Sequence, residues 1–504
     1  MLSFIRRFLR IEHVFYLLLL ISAIFSLGYY HPDEHYQIIE FAEMKLGHIN
    51  ATDLPWEYAA GIRPMLQPFI CYHSFRLLSS LGITDPYQLS LFLRLLTALF
   101  AAIVVPRFIK TTQNLISPGL VVSYKYLSYF LWFIPVLSVR FSSETWAGLS
   151  FVLALTFFIE SPHTVRRFII GCILLSISFQ FRYQSAFLIL GFLAWSIIVK
   201  RTKPNRIMLM LLVFLVVTGW ALLIDRWFYG HYQLTFWNYF LVNIVHDVAS
   251  KFGTSPWYKI GEYIFFAPTW PIGLLMILST IILILKNNKS LFLWCVIPFV
   301  AVHIIIPHKE LRFLFPIVWL IPIILMLGYQ NLQQVNIRLG YFLKHRGLFR
   351  HIWTTMLCLV VLINILGLVI SITKPVDRGN KYVTKHIREK FINQKIKLLY
   401  TSGNNPYSPW SFLKESFYSN KNVFTKKIFS PIEVHDNMPS TDTVLLICIA
   451  RNQFAQYMQY RDLSKTRIFI EMQASPSWNS ELLRYYGNAP DKDLMLLRIV
   501  AGGP

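Results

Sequence analysis

Charge is what this 504-residue chain is shortest of: 14% of its residues are Asp, Glu, Lys or Arg, where soluble proteins carry about a quarter. That scarcity excludes a soluble multidomain enzyme. With 55% hydrophobic residues, disorder is excluded as well, because so much apolar surface requires burial. Acidic residues are the scarcer sign, 25 against 48 Lys and Arg, for a net charge of +23. In a soluble protein that surplus would suggest nucleic acid. Here it reads as basic loops facing an anionic leaflet, and no nucleic-acid partner is expected. The five cysteines show no CxxC or metal spacing, which supports neither a disulfide framework nor a zinc site. No internal repeat or low-complexity tract is visible either.

Long apolar runs are what the chain has in quantity. Mean hydropathy is +0.48, and a spanning helix needs about 20 mainly apolar residues. Such runs fall near 13–30, 88–106, 120–138, 144–160, 167–181, 183–199, 207–224, 263–285, 291–306, 312–329 and 352–373. A weaker run at 65–82 carries Gln67, His73 and Arg76. Basic sets sit at Arg6/Arg7/Arg10, Arg107/Lys110, Arg166/Arg167, Lys200/Arg201/Lys203/Arg206, Lys286/Lys289 and Arg338/Lys344/Arg346/Arg350. The positive-inside rule puts all six on the cytoplasmic face only if 65–82 does not cross. That run is therefore expected as an amphipathic helix on the outer face. The expectation is a polytopic α-helical membrane protein of about eleven transmembrane helices, N-terminus inside and C-terminus outside. The first segment also resembles a signal peptide, but no small-x-small site precedes His31, so an uncleaved anchor is expected.

Lys and Arg alone set that topology, and the acidic residues test it. Nearly all the acidic residues of the membrane half, namely Asp33, Glu34, Glu40, Glu43, Asp53, Glu57, Glu144, Asp225, Asp247, Glu262 and Glu310, fall in or beside the outer segments, chiefly the loops 31–87, 225–262 and 307–311. Polar chemistry is thus expected on one face. Beyond 375 the chain turns mixed and polar, with β-like runs at 397–400, 443–450, 467–472 and 494–500. Residues 1–375 read as the membrane domain and 376–504 as a small extracytoplasmic α/β domain. The latter lacks a phosphate-binding glycine fingerprint and is assigned no catalysis.

Three constellations on the outer face can carry chemistry. The first is His31-Pro32-Asp33-Glu34-His35, directly after the first span. Pro32 suits the first turn of a following helix, whose dipole would stabilise Asp33 and Glu34. Such carboxylates can bind a cation or act as general base on a sugar hydroxyl; an acidic helix start alone would look the same. The loop continues with Trp56-Glu57-Tyr58 and Arg63, able to line a sugar pocket or to stand as interfacial aromatics. The second is His308-Lys309-Glu310-Leu311-Arg312, squeezed between apolar helices. It is either a self-compensated turn or a cationic cradle for phosphate, with Lys as point charge and Arg as bidentate fork. Arg140 (with Glu144) and Arg182 lie on the same side and can converge on one anion. The third is the aromatic loop with Tyr229, His246 and Trp257, too long for a mere connector. It reads as a grip for a lipid-linked ligand or as an interfacial cap.

Four motifs in chain order, HPDEHYQ, WEYAAGIRP, DRWFYGHYQLT with the following GTSPW, and HKELRF, resemble glycosyltransferase family 22. That family consists of dolichyl- or polyprenyl-phosphate-mannose-dependent mannosyltransferases, and the motifs sit nearest its GPI mannosyltransferase III-like members. The resemblance covers most of residues 20–330. It implies a GT-C fold with its site at the lumenal or periplasmic membrane face. It also implies inverting transfer of mannose from a polyprenyl-phosphate carrier to a glycolipid hydroxyl. By the resemblance, Asp33 and Glu34 are the catalytic acids, and His308, Lys309, Glu310 and Arg312 the HKE-type motif. Ala59-Ala60 departs from the more polar residues of relatives, which bears on the acceptor. Asp33 is the first choice for general base and Glu34 the second. No cofactor is required, and a divalent metal stays open. The membrane would be endoplasmic reticulum in a eukaryote and the inner membrane in a bacterium. Two rivals are a GT-C transferase using another carrier-linked sugar, and a transporter or flippase. For transport, the central candidates within the spans are only Arg94 and Lys125, on different spans with no acidic partner, and no repeat is visible.

Overall fold

The computed structural model describes residues 11–160, 164–335, 347–410, 413, 415–438, 443–464, 467–476 and 492–500. Of the basic residues that set the topology, Arg6, Arg7, Arg10, Arg338, Lys344 and Arg346 lie outside the described residues. Every one of the eleven apolar runs contains helix. Among the described residues, Pro86–Leu115, Pro204–Tyr229, Leu311–Gln333 and Thr354–Thr373 are each long and apolar enough to cross a membrane.

Two runs are not single rods. The run at 120–138 breaks at Leu131 into Val121–Phe130 and Phe133–Leu137. The run at 263–285 comprises Lys259–Phe266 and Trp270–Lys286, bent by 116°, with Thr269 at φ +78° in the bend. Irregular backbone within apolar surroundings must find its hydrogen bonds in neighbouring protein. Asn364 supplies them at the first break, accepting from Trp132 N at 3.0 Å and donating to the Phe130 carbonyl at 2.6 Å. The Trp132 indole donates to the Pro268 carbonyl at 3.1 Å. The weak run at 65–82 forms helix Leu66–Ser80.

The chain divides into two compact units. The first comprises Met1–Ser22, Glu57–Ile70 and Arg94–Ser371, and the second Ala23–Trp56, Cys71–Leu93 and Ile372–Pro504. In the first, helix Ser143–Ile159 lies against the 3₁₀ segment Leu311–Leu320. Gly148 permits this, because a Cβ there would meet the Trp319 ring at 2.5 Å and the Pro316 carbonyl at 2.6 Å. Ser142 caps that helix, accepting from Thr145 N, which sets Glu144 in its first turn.

The second unit contains a five-stranded mixed sheet: β1 (Lys395–Tyr400), β2 (Val423–Lys427), β3 (Thr443–Ala450), β4 (Arg467–Gln473) and β5 (Leu494–Val500), in the order β2-β1-β3-β5-β4. β1 pairs in parallel with β2 and β3, while β5 is antiparallel to β3 and β4. Alternation along β3 divides the core as a period of two requires. Leu446 and Cys448 face Val383 and Ile387 of helix Asn380–Lys390. Leu445, Ile447 and Ile449 face Val434 and Tyr457.

Candidate active site

In the second unit, the first constellation forms helix Pro32–Tyr36. Pro32 opens it, and His31 caps it from an extended backbone (φ −137°, ψ 147°). The cap is a hydrogen bond from Asp33 N to His31 Nδ1 at 3.2 Å, which fixes Nδ1 as the acceptor. The Asp33 carboxylate lies 3.4 Å from that nitrogen and keeps 20% of its side-chain exposure. Glu34 and His35 are buried. Of the two carboxylates, Asp33 is thus the more accessible to a substrate. His35 faces inward and bonds through Nε2 to Glu40 at 2.9 Å. Trp56 is exposed.

The first unit holds the charged residues of 140–144, 182 and 308–312. Glu144, with 3% side-chain exposure, sits between two guanidiniums: Arg182 Nη1 at 2.9 Å and Arg312 Nη1 at 3.3 Å. Arg312 also bonds through Nε to Glu310. Burial lowers the pKa of Arg182 from its ordinary value, Glu144 opposing the shift and Arg312 adding to it. Both guanidiniums lie over the Phe313 ring, at 5.3 and 5.5 Å from its centroid. His303, which the sequence reading passed over, approaches the same ring at 5.8 Å. Arg140 is buried in the same unit.

His308 has an acceptor at each ring nitrogen: the Gly253 carbonyl at Nδ1 and Glu310 at Nε2, both 2.8 Å away. Two acceptors favour the doubly protonated ring, and the pKa of His308 is raised, chiefly by the bond to Glu310. Lys309 turns back onto backbone, donating to the carbonyls of Ile306 at 2.6 Å and Ser255 at 3.2 Å. It therefore ties two loops together, and its ammonium is a more committed group than a free point charge.

A second cluster in this unit joins residues 57–65 to Tyr183 and to residues 225–235. Asp225 accepts from Met65 N at 2.9 Å and from the Thr235 hydroxyl at 2.7 Å. Tyr183 shares a 2.5 Å contact with the same hydroxyl. Tyr229 donates to the Arg63 carbonyl at 3.0 Å, and Arg63 reaches Glu57 at 3.5 Å. Gly61, at φ +58°, lets the turn pass over Gln233, whose side chain would lie 2.2 Å from an added Cβ. His246 and Trp257 stand exposed, outside both clusters. Glu40 and Asp225 appear in the sequence only as outer-face acids; each combines a nearby partner, His35 or Thr235, with backbone donors from far along the chain. Among the described residues no three His, Cys, Asp or Glu side chains gather in a metal-holding arrangement.

A model of the Alg9-like mannosyltransferase family matches residues 12–401. The chain is similar to the mannosyltransferase APTG1 of Arabidopsis thaliana, 24% identical over 63% of this chain and 57% of that protein. It is also similar to the GPI alpha-1,2-mannosyltransferase 3 of Xenopus laevis, 22% identical over 65% and 61% of the two chains. The chain thus spans about three-fifths of the length of these relatives. A crystal structure of ArnT from Cupriavidus metallidurans bound to undecaprenyl phosphate aligns over 98% of both chains, at 9% identity and a TM-score of 0.49.

Proposed function

The chain belongs to the Alg9-like mannosyltransferase family, and from that membership we propose that it is a membrane glycosyltransferase of GT-C type. It moves mannose from a polyprenyl- or dolichyl-phosphate carrier to a hydroxyl of a glycolipid or lipid-linked glycan, inverting the anomeric centre. The observation that carries this reading is the pairing of Arg182 and Arg312 about one buried carboxylate. Shared Glu144 holds two forked cations at a fixed spacing, an arrangement suited to phosphate oxygens where charge develops.

In the reaction, the Asp33 carboxylate takes the proton of the acceptor hydroxyl. The acceptor oxygen attacks the anomeric carbon from the face opposite the phosphate. The bond from that carbon to the phosphate oxygen breaks, and the carrier leaves as polyprenyl phosphate. Arg182 and Arg312, with Arg140, His308 and Lys309 as further cations of the same unit, meet its added negative charge, while Glu310 orients Arg312 and His308. Glu34 is the second choice for base. His31, Trp56, Glu57, Arg63, Tyr229, His246 and Trp257 are the further proposed substrate contacts, and His35, proposed with them from the sequence, is buried and supports the acidic helix from within. The scheme requires no cofactor.

We place this chemistry on the lumenal or periplasmic side of an eleven-span protein, with 1–375 as catalytic domain and 376–504 as extracytoplasmic domain. The test is transfer of labelled mannose from short-chain polyprenyl-phosphate-mannose to membrane glycolipid by the purified protein. An inverted mannosyl product supports the reading. Product formed only from another carrier-linked sugar would replace the donor, and silence with every donor from folded protein would overturn transfer altogether.

A further inference from the structure

Five residues are too few for a helix to hold itself in water, so the helix that presents Asp33 must take its orientation from tertiary contacts. Within the second unit those contacts come from the far end of the chain. Glu415 is fully buried and pairs with Lys381, likewise fully buried. Its Oε2 accepts from the Tyr29 hydroxyl at 3.2 Å and the Tyr36 hydroxyl at 3.3 Å. These two tyrosines bracket the acidic motif, one before it and one at its last helical residue. The next two residues, Ser416 and Phe417, donate their backbone N–H groups to Glu40 Oε1 at 2.9 and 3.2 Å. That same oxygen receives His35. Tyr418 completes the grip: its ring stacks on His35 at 5.5 Å, and Tyr29 stacks on His35 at 5.3 Å.

We propose that segment Glu415–Tyr418 is a strap that fixes the acidic helix for catalysis, with Glu415 as its positioning residue. The inference rests on Asp33 being the base. Stability is a poor reason for the charge pair, since a fully buried Lys–Glu pair is commonly no better than apolar side chains of the same volume. A carboxylate that takes two tyrosine hydroxyls at once does something an apolar side chain cannot, because it sets the rotation of the elements that carry them. Glu415 also lies beyond residues 12–401, the stretch that matches the family model. The strap is therefore supplied by a part of the chain outside the stretch that matches the family model, and it gives the C-terminal region a positioning part in the chemistry.

The test compares full-length variants that keep the buried pair neutral. Lys381→Met with Glu415→Leu keeps the apolar volume and removes the acceptor. Lys381→Met with Glu415→Gln keeps one acceptor oxygen. Transfer rate, donor KM and amide exchange over residues 31–40 are read on each, beside Asp33→Asn. The strap predicts that the Leu variant melts near wild type, exchanges faster over 31–40 and loses about 10²-fold in kcat at unchanged donor KM. The Gln variant loses about tenfold or less. Wild-type exchange and kcat in a folded Leu variant would overturn the strap. Near-normal turnover of Asp33→Asn would instead remove the base, and the exchange data would then decide separately whether the strap holds the helix.

Discussion

Glu144 shows how much one residue settles. Its carboxylate is the shared partner of Arg182 and Arg312, and breaking a buried ion pair by removing one partner costs about 3–5 kcal/mol. Glu144→Gln is expected to destabilise the protein by that order, read as a lower melting temperature in detergent; Glu310, at 24% side-chain exposure, is expected to cost less when changed to Gln. His308 yields a pH signature. Its ionisation lies above 6.5 in the folded protein, chiefly through its bond to Glu310. A raised pKa means the charged ring contributes its stability fully below the unfolded value near 6.5. That contribution is lost as pH rises through the folded value. Melting temperature should therefore fall over the range just above pH 6.5, and Glu310→Gln should flatten that limb. A limb of the same size in Glu310→Gln would remove the pair from the account. His308 and Glu310 stand two positions apart in one motif, but the partners of Glu144 were not readable in the sequence. Glu144 and Arg182 are 38 positions apart and Glu144 and Arg312 are 168 apart, and only tertiary packing joins them.

Elements were more legible than their interruptions. Hydropathy placed helix in all eleven runs because burial in an apolar setting depends on composition over a window, and the chain is consistent there. The break at Leu131 escaped because its residues are as apolar as the helices on either side; what permits it is Asn364, more than 230 positions away. Asn364→Leu should leave the Trp132 N–H and Phe130 carbonyl without their partner, at about 1–3 kcal/mol for each group. A melting temperature equal to wild type would show that the break is satisfied otherwise. In the sheet, β1, β3, β4 and β5 were visible as short apolar runs, and β3 and β5 coincide with them residue for residue. β2 was missed. Its Val-Phe-Thr-Lys-Lys sequence is an edge strand whose last four residues are exposed, so it carries no apolar run, and its charge suits an edge that must not pair further.

At the scale of the molecule, sequence and fold divide the protein differently. A change of composition near 375 suggests a membrane part followed by a tail. Contacts instead join the stretch Ala23–Trp56, with Asp33 and Glu34, to the chain beyond Ile372, and leave Glu57, Arg63 and the arginine–glutamate cluster in the other unit. The acidic motif was legible because Pro32, Asp33 and Glu34 are contiguous and the capping rule acts locally. Its support was not, since Glu415 is distant and sits in a polar segment without a motif. The central claim is that Asp33 takes the acceptor proton. The most direct measurement is single-turnover transfer from polyprenyl-phosphate-mannose by Asp33→Asn, with donor binding measured on the same preparation. The account predicts a loss of about 10²–10⁴-fold in transfer, with donor affinity and fold retained. Transfer at close to the wild-type rate would contradict it.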